Sequence, residues 1–122
     1  MPKNHMKKIL VVDDDDSILL LYRAVLVPAG FEVHCAADCS EALQKFSEVN
    51  PDIVLLDYEI PGGCGGEVFK TFRARGPVPV IFISAHDESV FCAEKQQSGV
   101  SLLKKPFTKD TLLRAVRGAL KS

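Results

Sequence analysis

At 122 residues, 47% of them hydrophobic, the chain can bury one core and is too short for two ordinary domains. Its 15 Lys+Arg against 16 Asp+Glu leave a net charge of −1, which excludes the broad basic surface that holds nucleic acid or anionic lipid by charge. The basic start, residues 1–8, is followed by only four apolar residues before four consecutive aspartates, too short a run for a signal-peptide core or a membrane span. A cytoplasmic protein with no membrane or direct nucleic-acid contact is expected. The cysteines, Cys35, Cys39, Cys64 and Cys92, lack CxxC spacing and the density of a disulfide scaffold, so reduced thiols are expected.

Short β-branched runs alternate with longer segments of helical period, the pattern of a βα-repeated architecture with a parallel sheet. The first strand is read over residues 8–12 and the first helix over 17–27, with Pro28 and Gly30 ending it. The second strand covers 32–35. Asp38, with Glu41 three residues on, forms a capping box for a second helix whose stripe is Ala42, Leu43, Phe46 and Val49. Asn50-Pro51 closes it. The third strand, 53–56, is apolar throughout and so is expected in the centre of the sheet, covered on both faces.

The glycine-dense stretch 61–66 reads as a loop. Val68, Phe69 and Phe72 mark a third helix, ending near Gly76-Pro77. A fourth strand covers 80–83 and a fourth helix roughly 88–98. Leu102-Leu103 is a short fifth strand, and Thr108 caps a last helix with Leu112, Leu113, Val116, Ala119 and Leu120 on one face.

The strand ends carry the chemistry. The first strand runs into Asp13 and Asp14, the third into Asp57, the fourth into Ser84 and the fifth into Lys104-Lys105-Pro106. Parallel strands present their working groups at their carboxyl ends, so these residues should meet on one rim. Three carboxylates, a hydroxyl and an ammonium suit a hard divalent cation and a phosphoryl group, because crowded carboxylates repel one another unless an ion neutralises them.

Five pieces of the chain together resemble the receiver domain of two-component response regulators. They are Lys8-Ile9-Leu10-Val11-Val12-Asp13-Asp14-Asp15, Pro51-Asp52-Ile53-Val54-Leu55-Leu56-Asp57, Ile60-Pro61-Gly62, Pro79-Val80-Ile81-Phe82-Ile83-Ser84-Ala85 and Lys104-Lys105-Pro106-Phe107. The resemblance implies a single receiver domain over residues 1–122 with no output domain. Its fold would be α/β, a doubly wound, flavodoxin-like five-stranded parallel sheet in the order 2-1-3-4-5 with helices on both faces.

It further implies that Asp57 is the phosphoacceptor, in a transfer that depends on Mg²⁺ (or Mn²⁺). Asp14, Asp57 and the backbone carbonyl of Glu59 would bind the metal directly, and Asp13 mainly through a metal-bound water. Ser84, Lys105 and the backbone amide near Ala85 would hold the phosphoryl oxygens. The donor would be a sensor histidine kinase or a phosphotransfer domain, and the output a downstream protein partner or a self-dimer. Such a protein modifies itself and sheds the group by hydrolysis; it is not a turnover enzyme on a metabolite.

Several positions depart from the family or extend beyond it. Receivers commonly carry Tyr or Phe three residues before the Lys of the Lys-Pro pair, a ring that swings inward as the Ser/Thr moves toward the phosphoryl group; this chain has Leu102 there, which either weakens that half of the switch or simply packs. Glu59 and His86 stand two residues beyond Asp57 and Ser84, where a carboxylate or imidazole could tune the lifetime of the acyl phosphate; otherwise they are a loop charge and a helix-start residue. The first helix is too apolar for a single stripe, so Leu19 and Leu20 are expected to face water, either as a docking face for a kinase or second copy or as scattered surface leucines. Asp15 and Asp16 should favour that helix's positive end rather than a metal. Cys64 reads as an incidental loop thiol, its reactivity blunted by nearby acids.

Two enzyme-like or carrier readings compete. An aspartate nucleophile with Mg²⁺, a hydroxyl and a lysine is also the chemistry of haloacid-dehalogenase-like phosphatases, but those carry a second aspartate two residues on, where this chain has Glu59. A flavodoxin-like flavin carrier would want a Ser/Thr/Gly phosphate loop after the first strand, where four aspartates stand.

Overall fold

The computed structural model describes residues 6–58, 65–85 and 99–121. Among these residues nine elements follow one another: β1 (Lys8–Val12), α1 (Asp16–Leu26), β2 (Glu32–Ala36), α2 (Cys39–Val49), β3 (Ile53–Asp57), α3 (Gly65–Arg75), β4 (Val80–Ser84), β5 (Val100–Lys104) and α4 (Lys109–Lys121). The fourth helix expected over 88–98 lies outside the described residues, as do Glu59, Cys64, His86 and Cys92.

The helix starts are held by the acids the sequence places there. The Asp15 carboxylate accepts from the Ser17 and Ile18 amides, capping α1. At α2, Asp38 accepts from the Glu41 amide at 2.8 Å, while the Glu41 carboxylate reaches back to the Ala37 amide at 2.8 Å, one residue earlier than the usual reciprocal partner. Asn50 ends α2 in the left-handed region at φ 53°. Gly65 and Gly66, expected in a loop, are instead the first residues of α3; glycine lowers helix propensity, but packing of Val68, Phe69 and Phe72 overrides that small penalty.

All strand pairings are parallel, in the order β2-β1-β3-β4-β5. β3 and β4 are buried along their whole length, since helices cover both faces. Alternate residues divide the core in two. Ile9, Val11, Ile53, Leu55, Ile81 and Ile83 face α1 and α4, whereas Leu10, Val12, Val54, Leu56, Val80 and Phe82 face α2 and α3. On the second side Phe46 stacks on Phe72 with centroids 4.2 Å apart.

The α1 expectation is half right. Leu20 is 68% exposed, and Leu21 and Val27 are also exposed, but Leu19 is buried. Helical phase explains it: Leu19 lies three residues before Tyr22, on the stripe that continues to Val25 and Leu26. The cysteine expectation also needs correction. Cys35 is a free thiol, whereas Cys39 is disulfide-bonded, because spacing along the chain does not report which thiols folding brings together. His34, assigned no partner from sequence, pairs with Glu32 at 2.6 Å along edge strand β2.

Gly99 leads into β5 at φ +79°, and a Cβ built there would stand 2.9 Å from the Arg73 guanidinium of α3. Gly99→Ala is therefore expected to destabilise the protein by about 1–2 kcal/mol, since it adds left-handed strain and displaces Arg73. Urea unfolding of the two proteins checks this; equal midpoints would contradict it. Among the described residues no helix is long and apolar enough to cross a membrane.

Candidate functional site

The parallel register brings the chemistry-bearing residues to one rim. The Asp13 amide donates to the Ala36 carbonyl at 3.0 Å, extending the β1–β2 pairing by one residue and fixing the Asp13 backbone. Asp57 is the last residue of β3 and lies opposite Ile83, one position before Ser84 closes β4. The Lys105 amide donates to the Ser84 carbonyl at 2.8 Å, which carries the pairing past β5 and brings the lysine over the neighbouring strands.

Oxygens of Asp13, Asp14 and Asp57 all lie within 4.8 Å of one another, close enough to share one divalent cation. The Lys105 ammonium stands 3.6 Å from Asp57 Oδ2 and 3.8 Å from Asp13 Oδ2. Asp13, Asp57 and Ser84 are the buried polar side chains of the described residues, at 1%, 4% and 0% exposure. Asp14 is exposed, so the cluster opens to solvent on its side.

Asp13 carries the electrostatic strain. One of its oxygens, Oδ1, accepts from the Asp15 amide at 3.0 Å. The other, Oδ2, is buried and accepts no hydrogen bond among the described residues. Burial above all, and then the Asp57 and Asp14 charges, push its pKa up to about 6, against the opposing Asp15 amide and Lys105. A cation shared by the three carboxylates would answer both the orphaned oxygen and the repulsion, so the donor set fits a hard divalent ion.

Of the residues singled out from sequence, Asp13, Asp14, Asp57 and Lys105 are thus brought together, and Ser84 sits at the end of the adjoining strand. Ala85 is exposed just beyond it. Leu102 lies opposite Phe82 in the β4–β5 register and packs against the α2/α3 side of the core. Glu59 and His86 lie outside the described residues. As expected, Asp15 serves α1.

Sequence reasoning missed Tyr22. It is 1% exposed, and its ring stacks on Phe107, two residues beyond Lys105, with centroids 6.0 Å apart. The available signal was a lone phenol in an otherwise aliphatic helix stripe.

The family model described as response regulator receiver domain matches residues 9–117. The chain is 36% identical over 116 residues to the DNA-binding response regulator MtrA of Mycolicibacterium smegmatis, covering 94% of this chain and 51% of that protein. It is 35% identical to the MtrA of Mycobacterium tuberculosis over the same shares. The chain therefore spans about half the length of these curated relatives. Among solved structures, the chemotaxis protein CheY4 of Vibrio cholerae matches with TM-score 0.87 at 30% identity, over 94% of this chain and 99% of that one. A putative response regulator from Chloroflexus aurantiacus matches with TM-score 0.84 at 31% identity, over 97% and 100%.

Proposed function

This chain belongs to the response regulator receiver family of two-component systems, and from that premise we propose that phosphorylation of Asp57 switches it. The observation that carries the reading is the gathering of three carboxylates within 4.8 Å, with the Lys105 ammonium 3.6 Å from Asp57.

Asp13, Asp14 and Asp57 would hold Mg²⁺ or Mn²⁺, with the Glu59 backbone carbonyl as a further ligand; when bound, the cation neutralises charge on the transferring phosphoryl group. An Asp57 carboxylate oxygen attacks phosphorus in line, the bond to the donor's leaving group breaks, and an acyl phosphate forms. Lys105 pairs with one phosphoryl oxygen, the Ser84 hydroxyl donates to another, and the amide near Ala85 adds a further donor. Hydrolysis then returns Asp57 and inorganic phosphate, with Glu59 and His86 as tuning positions. On this reading the protein is not a turnover enzyme.

The donor would be a phosphohistidine on a sensor kinase or phosphotransfer domain. A groove of about 200 Å³ lined by Ile18, the exposed Leu21, Lys105, Pro106 and Phe107 supports docking of that donor beside the site. The output partner would be another protein or a second copy. A cytoplasmic location, with no direct nucleic-acid contact by this domain, completes the proposal.

Incubation with Mg²⁺ and acetyl phosphate, followed by peptide mass analysis, tests it. A single alkali-labile adduct on Asp57, lost slowly, is expected. Rapid multiple turnover would favour a phosphatase, a bound yellow chromophore a flavin carrier, and no adduct would refute the switch. In the same assay Lys105→Ala is expected to slow labelling about tenfold, less than a fully buried donor would cause because Lys105 is 29% exposed. An unchanged rate would remove Lys105 from the transfer.

A further inference from the structure

We propose that Tyr22 is a positioning residue of the acidic site: when the cation is bound, its hydroxyl donates a hydrogen bond, directly or through one water, to the Asp13 carboxylate. This rests on the metal-binding reading above and adds a residue of α1 to it.

Two complementary buried atoms are left over among the described residues. The Tyr22 hydroxyl is buried without a hydrogen-bond partner among the described residues, and so is Asp13 Oδ2. One is a donor and the other an acceptor. Burial raises the pKa of the hydroxyl, and the Asp13 and Asp57 charges raise it further, so the phenol lies within the field of the acids.

The ring itself is held. It is 1% exposed, belongs to the core cluster between α1, α4 and the sheet, and stacks on Phe107. Lys105, two residues before Phe107, stands 3.8 Å from the same Asp13 Oδ2. The phenol ring and the ammonium are therefore tied to one stretch of chain, residues 105–107, whose lysine stands beside that carboxylate oxygen.

An orphaned buried hydroxyl destabilises a fold, and phenylalanine would fill the same volume without it. No hydrogen bond among the described residues offsets that cost for Tyr22. Its contribution appears when Asp13 must stay ionised and oriented toward the metal, because a hydrogen bond to a charged carboxylate is among the stronger ones. Outer partners of this kind orient metal ligands elsewhere and set affinity.

The test compares the wild-type chain with Tyr22→Phe by calorimetric Mg²⁺ titration, with and without beryllofluoride, and by thermal unfolding in EDTA. The variant is expected to melt in EDTA at the wild-type temperature or higher, and to bind Mg²⁺ about 10- to 100-fold more weakly, the range for losing an outer hydrogen-bond partner of a metal ligand. A purely packing role would leave the affinity within twofold of wild type, and that result would overturn the inference. So would a melting temperature several degrees lower in EDTA, which would mean that the hydroxyl is already bonded without the cation. If the wild-type protein itself binds neither Mg²⁺ nor beryllofluoride, the parent reading falls and takes this one with it.

Discussion

An Asp57→Asn protein is expected to take up no phosphoryl group from acetyl phosphate and Mg²⁺, a loss of more than about 10³-fold in labelling rate, since an amide offers no carboxylate nucleophile. The fold should survive. Asparagine matches aspartate in shape, and the substitution removes one of three acids whose oxygens lie within 4.8 Å of one another. Intact mass before and after incubation reads the label, and thermal unfolding reads the fold. A label retained at the wild-type rate, mapped to another residue, would show that the rim gathers these acids for some other purpose. A label lost together with the fold would leave the role of Asp57 to be judged from the adduct site in the wild-type protein.

The second large effect changes sign with conditions. Asp13 has a folded-state pKa of about 6 against 3.8 for the free side chain. Its folded-state pKa is raised, so the native state holds the proton more tightly than the unfolded chain. The stability this contributes is fully present below about pH 4 and is lost as pH rises through 6. At pH 7.5 without a cation, an ionised Asp13 therefore weighs against folding by at most about 3 kcal/mol, at 1.36 kcal/mol per pK unit.

Asp13→Asn removes that charge and is expected to stabilise the cation-free protein by about 1–3 kcal/mol at pH 7.5, with the gain shrinking toward zero near pH 4. In saturating Mg²⁺ the order reverses. The wild-type protein gains binding energy, while the variant has lost a carboxylate from the donor set and should bind the ion about 100-fold more weakly. Urea titrations in EDTA at the two pH values, repeated with Mg²⁺, give all four comparisons. A variant less stable than wild type in EDTA at pH 7.5 would mean that Asp13 is stabilising without metal, contrary to its burial among acids.

Much of the architecture was legible because it depends on local rules. The apolar run ending at Leu56 placed β3 in the centre of the sheet, and Asp38 with Glu41 placed the start of α2, since burial pattern and capping act within a few residues. The gathering of Asp13, Asp14, Asp57 and Lys105 was also foreseeable, because residues at the carboxyl ends of parallel strands are carried to one rim. The strand order itself came through resemblance to the receiver family, which the sheet matches.

Other features depend on contacts between segments far apart in sequence. Gly65 and Gly66 look like loop residues until Phe69 and Phe72 find the β3–β4 face of the sheet. Leu19 looked exposed because composition cannot assign helical phase without the facing surface. Cys39 looked like a reduced thiol because its disulfide is a matter of three-dimensional approach.

The amino-acid order by itself thus determined which residues are acids, hydroxyl and amine, that each stands at or just beyond the end of a strand, and where most helices begin, because hydrophobic period and capping are short-range. Only the tertiary structure decided that Asp13 is buried with an oxygen left over, that Lys105 reaches both Asp13 and Asp57, and that the hydroxyl of a buried phenol in α1 has no hydrogen-bond partner among the described residues. Charge, desolvation and hydrogen-bond satisfaction are set by distances between segments, and those distances exist only once the sheet has closed its register.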